Sequence, residues 1–315
     1  MLVSFFIIWD SVMLRLTSLT LLSLFSFSVF AANTLSVGDQ RGNARAILQA
    51  AGELNNLPYT LDWHEFANAA PLLEAMRAGS IDAGSVGDAP LTFAVAAGLD
   101  AKGILATKYA GNAIIVKKGS PIHSVRDLAG KRIATVKGSS GHNLALQALL
   151  RAGVTVDKVN FVFTTPAEAT LVLDQGGVDA VSTWEPYVSF ATHQSGAEII
   201  ADGKDYPALN YLIASNQAIA AKSAELRDFS QRLTRARAWG EQHPQAYATM
   251  IGKLLRIPQE VALSKVQREV NTVVSNQQQV LAVQQNTVDL YVKNGLIPQP
   301  LRATTFIDLG LAQEK

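Results

Sequence analysis

Residues 81–88 read IDAGSVGD, and residues 178–185 read VDAVSTWE. Each opens on a branched residue followed by Asp-Ala, runs through a strand-like stretch and stops at a carboxylate suited to a helix start. The patterns before them also match. Strand signals at 34–38 and 59–63 alternate with helical patterns at 43–54 and 69–78, the second ending at Gly79. The later copy has strand signals at 132–136 and 159–163, and helical patterns at 142–152 and 166–175, the first of these ending at Gly153. First strand to third strand is 46 residues from Leu35 to Ile81 and 45 from Ile133 to Val178. Two similar α/β lobes are expected, each a mixed, mostly parallel sheet flanked by helices, with right-handed crossovers.

Such sheets bind ligands at the C-terminal ends of their strands. The loops there are 39–42, 65–68 and 87–89 in the first lobe, and 137–141, 164–165 and 184–187 in the second. Facing each other, they frame one cleft. Residues 210–214 read as a further strand and 217–221 as an apolar run. Later residues are helical, for example 224–243 before Pro244. The first lobe has too little chain to cover its own sheet, so these helices are assigned to it. The lobes are then 33–115 plus 215–315, and 116–214. The backbone crosses between them near Ile115–Lys117 and near Leu212–Ala214, and two crossing strands make a hinge.

A chain of 315 residues can bury a large core. Lys plus Arg number 27 and Asp plus Glu 26, a balance that argues against a nucleic-acid or membrane-surface partner. Leu16–Phe30 is apolar and uncharged, follows Arg15, and ends beside small residues. Residues 1–31 are therefore expected to be a secretory signal cleaved after Ala31, with Met13 as an alternative start. An uncleaved membrane anchor is the rival reading. There is no cysteine, which excludes thiol catalysis, thiolate metal sites, disulfides and a lipidated cysteine. The five histidines form no H-x-x-x-H pair, so neither metal nor cofactor is expected.

Residues 136–143, VKGSSGHN, join a strand to a helix. Free backbone N–H groups and the positive end of the helix dipole meet there, which makes an anion site. The phosphate-loop spelling G-x-x-x-x-G-K-[ST] is absent, and Lys137 precedes the glycine rather than following it. The loop reads as an anion cradle without phosphoryl-transfer equipment, or simply as a serine-capped helix start.

VGDQRG (37–42), LEAMRAGSIDAGSVGDAP (73–90), FAVAAG (93–98), VKGSSGHN and TWEPY (183–187) together resemble the periplasmic substrate-binding proteins of aliphatic sulfonate ABC importers. More broadly they resemble the sulfonate, nitrate and taurine binding class. The resemblance runs from about Leu35 to Asp289–Tyr291. It implies a type II periplasmic-binding-protein clamshell that captures a small anionic organic ligand without altering it. The implied partners are an ABC permease and its ATPase, the implied form is a monomer, and the implied location is the periplasm. Two positions depart from the class. Asp39 stands where relatives usually carry an aromatic residue, and would repel an anion unless it points away or pairs with Arg41. Glu185 stands where Asp is common. The alternatives are a thiamine pyrimidine-precursor binder or synthase, or a nitrate or taurine binder, and the missing cysteine weighs against the synthase.

A sulfonate needs several donors in a concave site rather than a full opposite charge. Ser139 and Ser140 supply hydroxyls. The N–H groups from Ser140 through Gly141 and His142 to Asn143 supply more. His142 is either another donor or an exposed helical residue. Asn68 and Ala69 open a helix that would meet the anion from the opposite lobe. Gln40 offers an uncharged amide, and Arg41 either pairs with the anion or is solvated. Asp88 caps a helix or binds a ligand amine or hydroxyl. Trp184 and Tyr187 wall in an organic tail or belong to the core. Glu185 faces the cleft or caps. A serine hydrolase is disfavoured, since no G-x-S-x-G or S-x-x-K occurs.

Overall fold

The computed structural model describes residues 33–269 and 271–313. The expected signal segment, residues 1–31, lies outside them. In chain order the elements are β1 (Thr34–Gln40), α1 (Ala44–Ala50), β2 (Thr60–Phe66), α2 (Ala69–Arg77), β3 (Ala83–Gly87), α3 (Asp88–Ala96) and β4 (Ala101–Lys108). Then come β5 (Ala113–Val116), β6 (Arg132–Thr135), α4 (Ser140–Ala152), β7 (Asn160–Phe163), α5 (Pro166–Asp174), β8 (Ala180–Thr183), α6 (Tyr187–Gln194) and β9 (Glu198–Asp202). The remainder is β10 (Leu209–Ser215), α7 (Asn216–Ala221), α8 (Ser223–Gln242), α9 (Pro244–Leu255), α10 (Gln259–Glu269), α11 (Gln277–Lys293) and α12 (Gly310–Gln313).

The strands form two sheets with the same plan. Their orders are β2-β1-β3-β10-β4 and β7-β6-β8-β5-β9. In each, the first three strands are parallel and the fourth runs antiparallel to both neighbours. Four strands of five therefore share a direction. The reversed strand, β5 or β10, is the one the chain enters just after leaving the other sheet.

This corrects the expected crossing points. Ile115 lies inside β5 of the second sheet, and Leu212–Ala214 lies inside β10 of the first. The chain passes over between Lys108 and Ala113 and returns between Asp202 and Leu209. Residues 113–115 thus pair in the second sheet and 209–214 in the first, the reverse of their expected assignment. The apolar stretches at these points are core strands, whereas the links themselves, 109–112 and 203–208, each carry a glycine, Gly111 and Gly203. The run at 217–221 is helical, because the Ser215 hydroxyl accepts from the Ala218 N–H at 3.1 Å and starts α7.

Both faces of each sheet are covered. Along β10, Tyr211 and Ile213 enter a core shared with α2, α3 and α11, while Leu212 and Ala214 enter one shared with α1, α8 and α9. That is the period-two alternation of a strand buried on both sides. In β5, Ile114 and Val116 pack toward α4, and Ala113 and Ile115 toward α5 and α6. Gly38 and Gly84 are register partners. A Cβ on either would come within 3.0 Å of Leu72 on α2, so glycine here lets α2 sit directly on the sheet. Among the described residues no helix is long and apolar enough to cross a membrane.

Candidate functional site

A cleft of about 570 Å³ lies where the parallel strands of both sheets end. From the first sheet's side it is lined by Gln40 and Arg41 after β1, Asn68 and Ala69 at the start of α2, and Gly87 after β3. From the second sheet's side it is lined by Ser139 and Ser140 at the start of α4, and by Trp184, Glu185 and Tyr187 before and at the start of α6. The loop at 164–165 does not line it. Thr165 instead caps α5 in a reciprocal box with Glu168.

Two helix starts from opposite sheets therefore face one space. At α4 the Ser139 hydroxyl accepts from the His142 N–H at 3.2 Å, and the Ser139 carbonyl accepts from the Asn143 N–H at 3.0 Å. The N–H groups of Ser140 and Gly141 have no acceptor among the described residues, as the first turn of a helix requires. At α2 the Asn68 side chain accepts from the Ala70 N–H at 3.0 Å, which leaves the Ala69 N–H open. Both ends carry the positive pole of a helix dipole.

Residues 61–247 match a family model described as NMT1/THI5 like. The chain belongs to that family. It is 34% identical over 300 residues to a putative aliphatic sulfonates-binding protein of Escherichia coli (strain K12), covering 91% of this chain and 93% of the relative. Its fold is similar to that of the alkanesulfonate-binding protein SsuA from Xanthomonas axonopodis pv. citri bound to MOPS. That match has a TM-score of 0.79 and 27% identity over 87% of this chain and 98% of that one. The periplasmic aliphatic sulphonate binding protein SsuA from Escherichia coli gives a TM-score of 0.76 and 30% identity over 88% and 92% of the two chains.

Three expected site residues of this NMT1/THI5-like protein do not line the cleft. Asp88 is 0% exposed; its carboxylate accepts from the Ala89 N–H at 2.7 Å and the Leu209 N–H at 3.3 Å. Burial pushes its pKa up to about 6. Gly141 is pressed against the second sheet, where a Cβ would meet the Ser182 carbonyl at 2.6 Å. His142 is 1% exposed and is neither a cleft donor nor a surface residue. Its Nδ1 accepts from the Gly138 N–H at 3.2 Å, and its ring stands edge-on to Phe161 and Phe163. Burial, helped by the charge of Lys137, lowers its pKa to about 4, so the ring is neutral at pH 7.

Asp39 points away from the cleft. Its two oxygens accept from the Ala44 and Arg45 N–H groups at 3.2 and 2.8 Å and cap α1. Burial raises its pKa to about 6 against those bonds. Arg41 is exposed and donates to the Leu254 carbonyl at 2.9 Å. Trp184 and Tyr187 meet edge-to-face with ring centroids 6.0 Å apart, giving the cleft an apolar wall.

The sequence reading missed the contribution of α10, which brings Lys265 and Glu269 to the cleft. The next residue but one, Asn271, and Tyr109 from the first crossing also line it. Arg268 on the same helix ties α10 to the second sheet's side. It donates to Glu185 at 2.8 Å, to Asp202 at 2.9 Å and to the Asn112 carbonyl at 3.3 Å. The Glu185 side chain is 0% exposed, and its second oxygen accepts from the Ser189 N–H at 3.2 Å. The Ser189 and Ser264 hydroxyls add a bond of 2.9 Å between α6 and α10. Glu185 thus borders the cleft as the partner of Arg268. The only sequence signal for any of this is the Lys265-x-x-Arg268-Glu269 spacing on one helix face.

Proposed function

We propose that this protein is the exported, ligand-binding component of an ABC importer, and that it captures an aliphatic sulfonate or a similar small organic oxyanion without chemically altering it. The observation that carries the reading is the pair of helix starts, Asn68–Ala70 and Ser139–Ser140, facing one cleft from opposite sheets. Unpaired N–H groups and hydroxyls there offer donors to an anion in a partly desolvated space.

The charges around the cleft favour a monoanion. Lys265 is engaged by Glu269 at 2.7 Å, Arg41 by a carbonyl, and Lys137 stands over the Phe163 ring at 5.8 Å. With its cations so engaged, the site relies on dipoles and hydroxyls. A sulfonate needs no more, whereas a dianion would. The apolar wall of Trp184 and Tyr187 suits the organic tail. The relatives' names include sulfonate binders of the periplasm, and the apolar leader before residue 33 agrees with export. We assign the first sheet with α1–α3 and α7–α12 to one lobe and the second sheet with α4–α6 to the other. Closure of the lobes would present both to a permease driven by a cytoplasmic ATPase.

Thermal unfolding of the purified protein with alkanesulfonates, taurine, nitrate and a thiamine pyrimidine precursor tests the reading. A sulfonate at 100 times its Kd adds about 2.7 kcal/mol of stability. A response confined to the pyrimidine would replace the sulfonate reading with its alternative. Ser139→Ala combined with Ser140→Ala should weaken sulfonate binding by about 10-fold or more, since a hydrogen bond to a charged group contributes about 1.5–3 kcal/mol. Loss of the Ser139 cap should also cost about 1 kcal/mol of stability. Unchanged affinity in that double variant would place the anion elsewhere.

A further inference from the structure

Resting on the sulfonate reading, we propose that the Lys265–Glu269 pair is a second ligand subsite in the cleft, one that binds a hydroxyl group on the far end of a hydroxyalkanesulfonate. The two residues lie one turn apart on α10 and line the same cleft as the helix starts that face the anion. Their side chains are only 3% and 12% exposed, with the ammonium 2.7 Å from the Glu269 carboxylate. An ammonium carries three hydrogens. Glu269 is its only hydrogen-bonding partner among the described residues, so donors remain unfilled in a nearly dry place. Buried donors without acceptors are costly, the more so when charged. An oxygen from a bound molecule removes that cost.

The chemistry of the oxygen follows from its surroundings. The pair is electrically neutral, so it gives no net attraction to a second formal charge. A second anion would meet the Glu269 and Glu185 carboxylates, and a cation would meet Lys265 and Arg268. A hydroxyl fits both partners: its oxygen accepts from Lys265, and its hydrogen goes to Glu269. Glu269 is held in place for this by the Asn271 amide, which donates to its other oxygen at 3.3 Å. The apolar lining of Phe66, Val86, Trp184 and Tyr187 suits the methylene chain that joins the two ends.

Isothermal titration of the wild-type protein with alkane-1-sulfonates and with ω-hydroxyalkane-1-sulfonates of two to six carbons tests this without any variant. At one chain length or more, the hydroxylated member should bind at least 10-fold tighter than its plain counterpart. The variant Lys265→Met with Glu269→Leu replaces the buried pair by apolar residues of similar size, a change such sites often tolerate. It should abolish the preference, so that at every chain length the variant binds the hydroxylated and plain members alike. Equal affinities for both series in the wild type would overturn the inference and leave the sulfonate reading standing. Equal losses for both series in the variant would also overturn it, by assigning the pair to the anionic head. Binding of neither series to the wild type would remove the sulfonate reading and the inference together.

Discussion

Asp82 and Asp179 occupy matching places in the two halves and make matching bonds. Each carboxylate accepts, at 2.8 Å, an N–H from the first strand of its own half, at Ser36 and Arg132 respectively. Each also donates its own N–H back to that same residue's carbonyl, at 2.8 and 3.0 Å. Asp88 and Glu185, at the ends of the same two strands, have parted ways. Asp88 stays within the first half, sealed against the start of α3 and the N–H of Leu209. Glu185 is longer by one methylene and reaches Arg268 on α10, far along the chain. Equivalent positions in a duplicated plan thus keep the bonds that build each sheet and diverge where the halves face each other. A side chain at a strand's end is free to take on work outside its own unit, while one that pins two strands together is not.

The largest test of that contrast is Arg268→Met. It strands a fully buried Glu185 carboxylate, and removing one partner of a buried pair costs about 3–5 kcal/mol. Urea unfolding reads the loss. A cost below about 1 kcal/mol would show that Glu185 is as self-sufficient as Asp88.

The next test concerns the helix starts. The first half opens α2 with a half-buried asparagine cap, while the second opens α4 over a buried, neutral His142. The folded pKa of His142 is about 4 against an ordinary 6.5. Above pH 6.5 neither state holds the proton. As pH falls from 6.5 to 4, the unfolded chain binds it and the folded one does not, so stability is lost across that window. At 1.36 kcal/mol per pH unit the loss by pH 4 is about 3 kcal/mol. His142→Asn retains an acceptor for Gly138 and removes this slope. Urea unfolding at pH 7, 5 and 4 should show the wild type losing ground to the variant at each step. Parallel curves would mean that His142 titrates normally.

The smallest test compares Asp82→Ala with Asp179→Ala. Each deletes one carboxylate bond to a strand N–H, worth about 1 kcal/mol. Asp82 also holds Lys222 at 2.6 Å, whereas Asp179 meets the Arg132 Nε at 3.4 Å. Asp82→Ala should therefore be the costlier by a few tenths of a kcal/mol, in keeping with the modest worth of partly exposed ion pairs. The reverse order would break the equivalence from the other side.

These contrasts also explain what could be read before the structure. The repeated strands and helices were legible because each half carries its own alternation of apolar and polar residues and its own stops at Gly79 and Gly153. The cleft loops followed from strand direction. His142 was misjudged because position in a helix's first turn says nothing about a neighbouring pair of phenylalanines on β7. Nothing in the sequence sets Lys265, Arg268 and Glu269 apart from an ordinary solvated helix face. Their burial depends on α9 and α6 packing against α10, which no local pattern encodes. The crossing points were missed for a related reason: β5 and β10 are as apolar as any core strand, and only their partners reveal which sheet they complete.

Arg268 also holds Asp202 and the Asn112 carbonyl, and both lie where the chain passes from one sheet to the other. One guanidinium therefore ties both passages and the start of α6 to α10, so three bonds from a single side chain converge where the chain runs between the sheets.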